Sequence, residues 1–167
     1  MSLLSLCEWL AATPASVALH ESRYVYLAVL TMHVMTLFLF IGVAVAIDLR
    51  LVGISLKAIP VSRVVNRLFP WATSGLYLMV ISGVLLFYAA PLDRYGNVFF
   101  RIKLGLLVLA LVNSWFFYRV VYSSVADWDL SSLPPLKVRI VGSVGLVIWA
   151  AIITAGRMIP YQIYWFS

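Results

Sequence analysis

His33 is the residue of this chain whose type and position best suit chemistry. It is an ionisable side chain in the middle of a long apolar segment, where a polar group is costly unless it is hydrogen-bonded, ligated or open to a cavity. A neutral imidazole ligates heme iron and other metals, so His33 is the candidate ligand if a heme or metal is bound. The alternative is a hydrogen bond to a Ser, Thr or Tyr of a neighbouring helix, which is the commoner role of a lone histidine in a membrane.

A second candidate is a face of small residues around Met79. The spacing of Gly75, Met79, Ser82 and Gly83 places them on one side of a helix. Small residues admit either a neighbouring backbone or a planar cofactor. Met79 falls near the middle of its apolar segment, as His33 does, so the two would be opposite axial ligands of a b-type heme. Ordinary packing of helices through small residues explains the same pattern.

Three basic residues fall at one end of their apolar segments: Arg101, Lys103 and Arg157. If they converge, their positive charges would bind heme propionates or lipid phosphates. The alternative is that each side chain only anchors its own segment at the membrane interface.

Copper is a third ligand that the sequence suggests, because Met32 and Met35 flank His33 and thioethers and imidazole suit cuprous ion. On a helix the two methionines share a face, whereas His33 is turned about 100° from Met32. A complete copper site would therefore need ligands from another helix or chain. His20 lies roughly 20 Å from His33 along a continuous helix, and we expect it at the interface.

These residues belong to four long apolar segments, which predict membrane-spanning helices because hydrocarbon cannot hydrogen-bond a bare peptide group. Of the 167 residues, 64% are hydrophobic and 11% are charged, unlike a soluble domain. We predict spans at about 24–47, 68–90, 99–121 and 138–158, after an interfacial helix at about 3–12. The expected fold is all-α: one transmembrane domain, 1–167, built as a four-helix bundle.

The ends of the spans are expected at charged residues, prolines and polar stretches. Asp48 and Arg50 would close the first span, and Pro70 would lie at the entrance of the second. Residues 123–135 are predicted to be an exposed loop. This assignment leaves no carboxylate in the core of any span, and no catalytic or zinc motif is evident, so we predict no catalytic residues and no enzymatic activity of its own.

The net charge of +6 does not indicate nucleic acid, because the Lys and Arg residues stand singly at the ends of apolar segments. The expected partners are the lipid bilayer and further copies of the chain or a larger membrane complex. Seven basic residues border the connections on one side and five border those on the other. This bias predicts a bacterial inner membrane protein with periplasmic termini.

Several short motifs are those of a known family. They include Ser22 to His33, Asp48-Leu49-Arg50, Phe99 to Lys103, and Trp149 with Ala155-Gly156-Arg157. On these motifs the chain resembles an uncharacterised family of bacterial four-span membrane proteins, which is in turn distantly similar to membrane cytochrome b and copper-resistance domains. The resemblance implies a four-span fold and heme b or copper as the ligand. Tyr118 stands where many members carry a histidine, so one expected heme ligand is missing.

Three functions are consistent with these features. The first is a non-catalytic accessory or structural subunit of a membrane complex, an electron-transfer complex included. The second is a b-type heme electron-transfer protein that uses His33. The third is a copper-handling membrane protein. The sequence favours the first, and it does not separate heme b from the absence of any cofactor.

Overall fold

A computed structural model describes residues 2–165, which form an α-helical bundle without β-strands. The helices are α1 (Leu3–Ala11), α2 (Pro14–Glu21), α3 (Arg23–Val52), α4 (Val61–Ala89), α5 (Pro91–Gly96), α6 (Val98–Phe116) and α7 (Leu136–Met158). Four helical segments, built on α3, α4, α6 and α7, are long and apolar enough to cross a membrane. The prediction of an all-α four-span bundle with a short helix before it is confirmed.

The segment before the first span forms two helices, where the sequence predicted one. Thr13 and Pro14 end the first, as expected, but they also begin α2, since Thr13 is its N-cap and Pro14 its first residue. The Thr13 hydroxyl lies 2.6 Å from the hydroxyl of Tyr88, and the Ser16 hydroxyl donates to the Tyr88 carbonyl at 2.7 Å. These bonds hold α2 against the end of α4.

Helix α3 does not end at Asp48 but continues to Val52. Gly53 ends it with a positive φ of 84°, and the amides of Gly53 and Ile54 donate to the last free carbonyls of the helix. Asp48 and Arg50 are therefore helical residues inside the bundle, with only 8% and 1% of their surfaces exposed. The sequence suggested an end here because charged residues usually lie outside a span.

Helix α4 begins earlier than predicted, so Pro70 lies inside the helix rather than at its entrance. The early start is stabilised by Asp129, whose carboxylate accepts bonds from the Ser62 amide at 2.7 Å and the Ser62 hydroxyl at 2.6 Å. The expectation that 123–135 is an exposed loop is wrong in part: residues to Asp127 form a short 3₁₀ helix, and Trp128 is buried.

Arg50 joins the two connections at this end of the bundle. Its Nε donates to the carbonyl of Ile59 at 2.8 Å, and its Nη2 donates to the carbonyl of Ser131 at 3.2 Å. The two carbonyls belong to the segments after α3 and before α7. One buried guanidinium thus fastens both connections to the end of α3.

The four spans pack in the order α4, α3, α7, α6, because α3 packs against both α4 and α7, and α6 packs against α7. Within the described chain, α4 and α6 have no comparable packing. Aromatic rings bridge this side at two levels: Phe87 of α4 stacks on Phe100 of α6 at 5.8 Å, and Phe69 of α4 meets Tyr118, just after α6, edge-on at 5.5 Å. A cleft lies between the two helices, with α3 and α7 as its floor.

Candidate functional site

The cleft has a volume of about 1180 Å³, which exceeds the range of about 300–1,000 Å³ that is usual for ligand pockets. All four spans line it, and its walls are mostly apolar. Its charged side chains are Arg94, Lys103 and Arg157 towards the end where α3 begins, and Asp48 towards the other end. The cleft is therefore large, apolar and electrically asymmetric.

His33 lies on the cleft wall and is bonded to the neighbouring helix α4. Its Nδ1 is 2.8 Å from the hydroxyl of Ser82, a fully buried residue. The Ser82 hydroxyl lies 2.7 Å from the carbonyl of Leu78 and donates its one proton there, so Nδ1–H of His33 is the donor towards Ser82. The interhelical hydrogen bond that the sequence predicted is present, and Nε2 carries the free lone pair of the ring.

The small residues of α4 serve the contact with α3. A Cβ on Gly75 would lie 3.1 Å from the Cβ of Phe40, and a Cβ on Gly83 would lie 3.4 Å from Cε1 of His33. The helix-packing interpretation of this face is therefore supported. Met79, on the same helix, is buried in an apolar cluster and also lines the cleft.

The predicted basic group is divided by the structure. Lys103 and Arg157 line the cleft, together with Arg94, whose Nη2 donates to the hydroxyl of Tyr26 at 3.3 Å. The ammonium group of Lys103 lies beside Gly156, where a Cβ would be only 3.4 Å away. Arg101 is exposed and does not line the cleft. Lys103, Arg157 and Arg94 thus line the same end of the cleft, and the guanidinium of Arg157 lies 5.8 Å from the centre of the Tyr161 ring.

Asp48 is a polar residue of the cleft that the sequence assignment missed. Trp149 Nε1 donates to its Oδ2 at 3.0 Å, and a Cβ at Gly145 would lie 2.8 Å from its Cγ. Asp48 was expected to close the first span, but it lies within α3, because the helix continues to Val52. Along α3, Asp48 and His33 are about 22 Å apart, so they lie at opposite ends of the cleft.

A group of polar side chains lies on the α6 side of the Asp48 end. The chain forms a π-helical turn at Phe117–Val121, a distortion that is frequent at functional sites. Tyr118 of this turn lines the cleft with Asn113 and Ser114. Among residues 2–165, the hydroxyls of Tyr118 and Ser114 have no hydrogen-bonding partner, while Asn113 Nδ2 donates to the carbonyl of Val141 at 3.3 Å.

The copper ligands suggested by the sequence do not converge. Met32 and Met35 are exposed and lie outside the cleft that His33 lines. In the described part of the chain, no group of three or more His, Cys, Asp or Glu is placed to hold a metal ion. His20 is exposed and borders a separate surface pocket near α5.

Sequence signals for the missed residues did exist. Asp48 and Trp149 both belong to the motifs that carry the family resemblance. Gly142 and Gly145 lie on the face of α7 that meets α3, and a side chain at either position would overlap α3. Small residues of this kind indicate a bulky neighbour, but they do not indicate that the neighbour is a carboxylate.

The fold and the cleft define the class: a helical membrane protein with four spans around an internal, ligand-sized cleft. The chain belongs to the family of unknown function DUF6644, whose family model matches residues 21–162. The resemblance to an uncharacterised family of four-span membrane proteins is thereby confirmed. No curated protein and no solved structure matches the chain.

Proposed function

We propose that this protein is a non-enzymatic membrane protein whose cleft would hold a b-type heme, with Nε2 of His33 as the ligating atom. The observation that carries the proposal is the pairing of Nδ1–H with Ser82 on the wall of an apolar cleft. Such a bond fixes the ring and its tautomer, as the outer partners of ligating histidines do. Nε2 is thereby left as the ligating atom.

The remaining residues of this end of the cleft fit the same ligand. Lys103 and Arg157, with Arg94, supply the positive charge that propionates require. Arg101 is assigned to the membrane interface. Met79 also lines the cleft, and its thioether would be a second ligand for such a heme. A bound heme would supply one-electron transfer.

The test is a visible spectrum of the protein purified in mild detergent, before and after addition of hemin. The variants are His33→Leu and a matched control, His20→Leu, which removes an exposed histidine outside the cleft. We expect the wild type and His20→Leu to show a Soret band with the α and β bands of a reduced b-type heme. His33→Leu should lose them while circular dichroism shows that the helices remain.

Two results would contradict the heme proposal. One is a wild-type protein that has no heme as purified and takes up none from hemin. The other is a spectrum of His33→Leu that equals that of the wild type. The helix content of each variant separates these results from simple misfolding.

A second candidate function is that of an accessory subunit of a membrane complex. The bond between His33 and Ser82 favours it, because that bond links α3 to α4 without any cofactor. In this role His33→Leu should keep the fold and lower its stability by about 1 kcal/mol. The proposed partners are lipid, copies of the chain and a larger complex, such as one for electron transfer. Purification from native membranes in mild detergent would test this: a colourless protein with stoichiometric partner subunits supports it, and a lone protein opposes it.

We also propose the bacterial inner membrane as the location, with the termini on the periplasmic side. The support is the seven-to-five bias of basic residues. Copper handling receives no comparable support, since the thioethers of Met32 and Met35 do not reach the cleft.

A further inference from the structure

The Asp48 end of the cleft is separate from the His33 end. The two residues are about 22 Å apart along α3, so a ring ligated by His33 does not reach Asp48. The volume of about 1180 Å³ also exceeds what one ligand of ordinary size fills. Space and polar groups therefore remain for a second molecule, whether or not heme binds to His33.

The Asp48 carboxylate is incompletely satisfied by the protein. It is 8% exposed, and among residues 2–165 its hydrogen-bonding partner is the indole of Trp149, on one oxygen. A carboxylate accepts bonds at both oxygens, and a buried polar group without a partner is costly. Oδ1 of Asp48 is therefore available as an acceptor for a hydroxyl group of a ligand.

Across the cleft the protein offers donors. The hydroxyls of Tyr118 and Ser114 are free of protein partners among the described residues, and both lie on the cleft wall. The end of the cleft thus presents an acceptor on α3 and donors on α6 and the π-helical turn. This arrangement suits a head group that carries two oxygens on opposite edges.

The positions of the charged side chains argue against an anionic ligand at the Asp48 end. The basic side chains of the cleft lie at the other end, so an anionic head such as a lipid phosphate would find Asp48 but no cation here. A neutral ring with oxygens on opposite sides and an apolar tail fits, because the tail would leave between α4 and α6, which are not closely packed against each other in the described part of the chain.

We propose that the Asp48 end is a binding site for the head group of a membrane quinol. One quinol hydroxyl donates to Oδ1 of Asp48, and the hydroxyl of Tyr118 donates to the oxygen on the opposite edge. The site is independent of the heme proposed at His33. It prefers the quinol over the quinone, because a quinone carbonyl has no proton to give to the carboxylate.

The test is photolabelling of the protein in nanodiscs with an azido-substituted decylbenzoquinone, in competition with unlabelled decylbenzoquinol or decylbenzoquinone. Mass spectrometry locates the label. We expect labelling at the Asn113–Tyr118 segment and stronger competition by the quinol. Asp48→Asn keeps an oxygen for Trp149 but loses the charge, and it should weaken competition by the quinol about tenfold, the effect of a lost bond to a charged group. Tyr118→Phe should weaken it by a smaller factor.

Matched controls are Asp127→Asn and Tyr122→Phe. Asp127 is exposed, and the Tyr122 hydroxyl bonds to Asn66 at 3.3 Å; neither residue lines the cleft. Both controls should compete as the wild type does. Labelling only at lipid-facing positions, labelling at the His33 end, or unchanged competition in folded Asp48→Asn and Tyr118→Phe would each overturn the proposal. So would a co-purified phospholipid that the quinol does not displace.

Discussion

Two polar side chains, His33 and Asp48, define the opposite ends of one apolar cleft. Sequence alone singled out His33, because it is the ionisable residue in the middle of an apolar run. Asp48 was missed because Arg50 follows closely, and two charges together resemble the end of a span. Two contacts from α7 allow a carboxylate within α3: the indole of Trp149 donates to Asp48, and Gly145 leaves room for the side chain. Both residues are far from Asp48 in the sequence.

The proposed role of Met79 as a heme ligand can be tested by substitution. Replacement of Met79 by Leu keeps the volume of the side chain and removes the thioether. If Met79 were a second ligand of a bound heme, Met79→Leu should convert a low-spin heme spectrum into a high-spin one. The measurement is the spectrum of the oxidised and reduced protein after hemin loading.

The control for this variant is Met35→Leu, which changes an exposed methionine outside the cleft and should leave the spectrum unaltered. An identical spectrum for Met79→Leu and the wild type would remove Met79 from the ligand set and leave His33 as the protein ligand.

The sequence predicted which membrane-spanning helices exist more accurately than where each helix begins and ends. Mean hydropathy identified all four spans, since length and apolar composition are local properties. The start of α4 depends on the cap that Asp129 supplies from a distant connection, and the course of that connection depends on the bonds of Arg50. Neither the Asp129 cap nor the Arg50 bonds can be recognised from neighbouring residues in the sequence. The start of α4 and the structure of the connection before α7 were therefore not predicted.

The contact of α3 with α7 allows a prediction about Gly145. A Cβ at this position would overlap the carboxylate of Asp48, and the buried side chain has little room to move. We expect Gly145→Ala to lower the free energy of unfolding by about 1–3 kcal/mol, as overpacking does. Reversible denaturation in detergent would measure the change.

Gly105→Ala is the matched control, because a Cβ on Gly105 of α6 meets no atom within 4 Å. That substitution should leave stability unchanged or raise it slightly, since alanine is the better helix former. Equal stabilities of the two variants would show that α3 and α7 are not in contact at Asp48.

The two ends of the molecule differ: short helices cover one end, and the buried guanidinium of Arg50 fastens the connections at the other. Helices α1, α2 and α5 lie at the end where α3 begins, with the basic residues of the His33 part of the cleft. The opposite end carries the connections tied by Arg50. Orientation in the membrane therefore decides which aqueous side each half of the cleft is nearer to.

The bias of basic residues predicts that orientation, because Lys and Arg are retained on the cytoplasmic side. In a Cys7→Ser background, Asp93→Cys reports the end at α5 and Ser132→Cys reports the end tied by Arg50; both positions are exposed. We expect a membrane-impermeant maleimide to label Asp93→Cys in intact spheroplasts and Ser132→Cys only after lysis. The reverse pattern would place the basic residues of the cleft, and any propionates bound there, nearer the cytoplasm, and would contradict the periplasmic assignment of the termini.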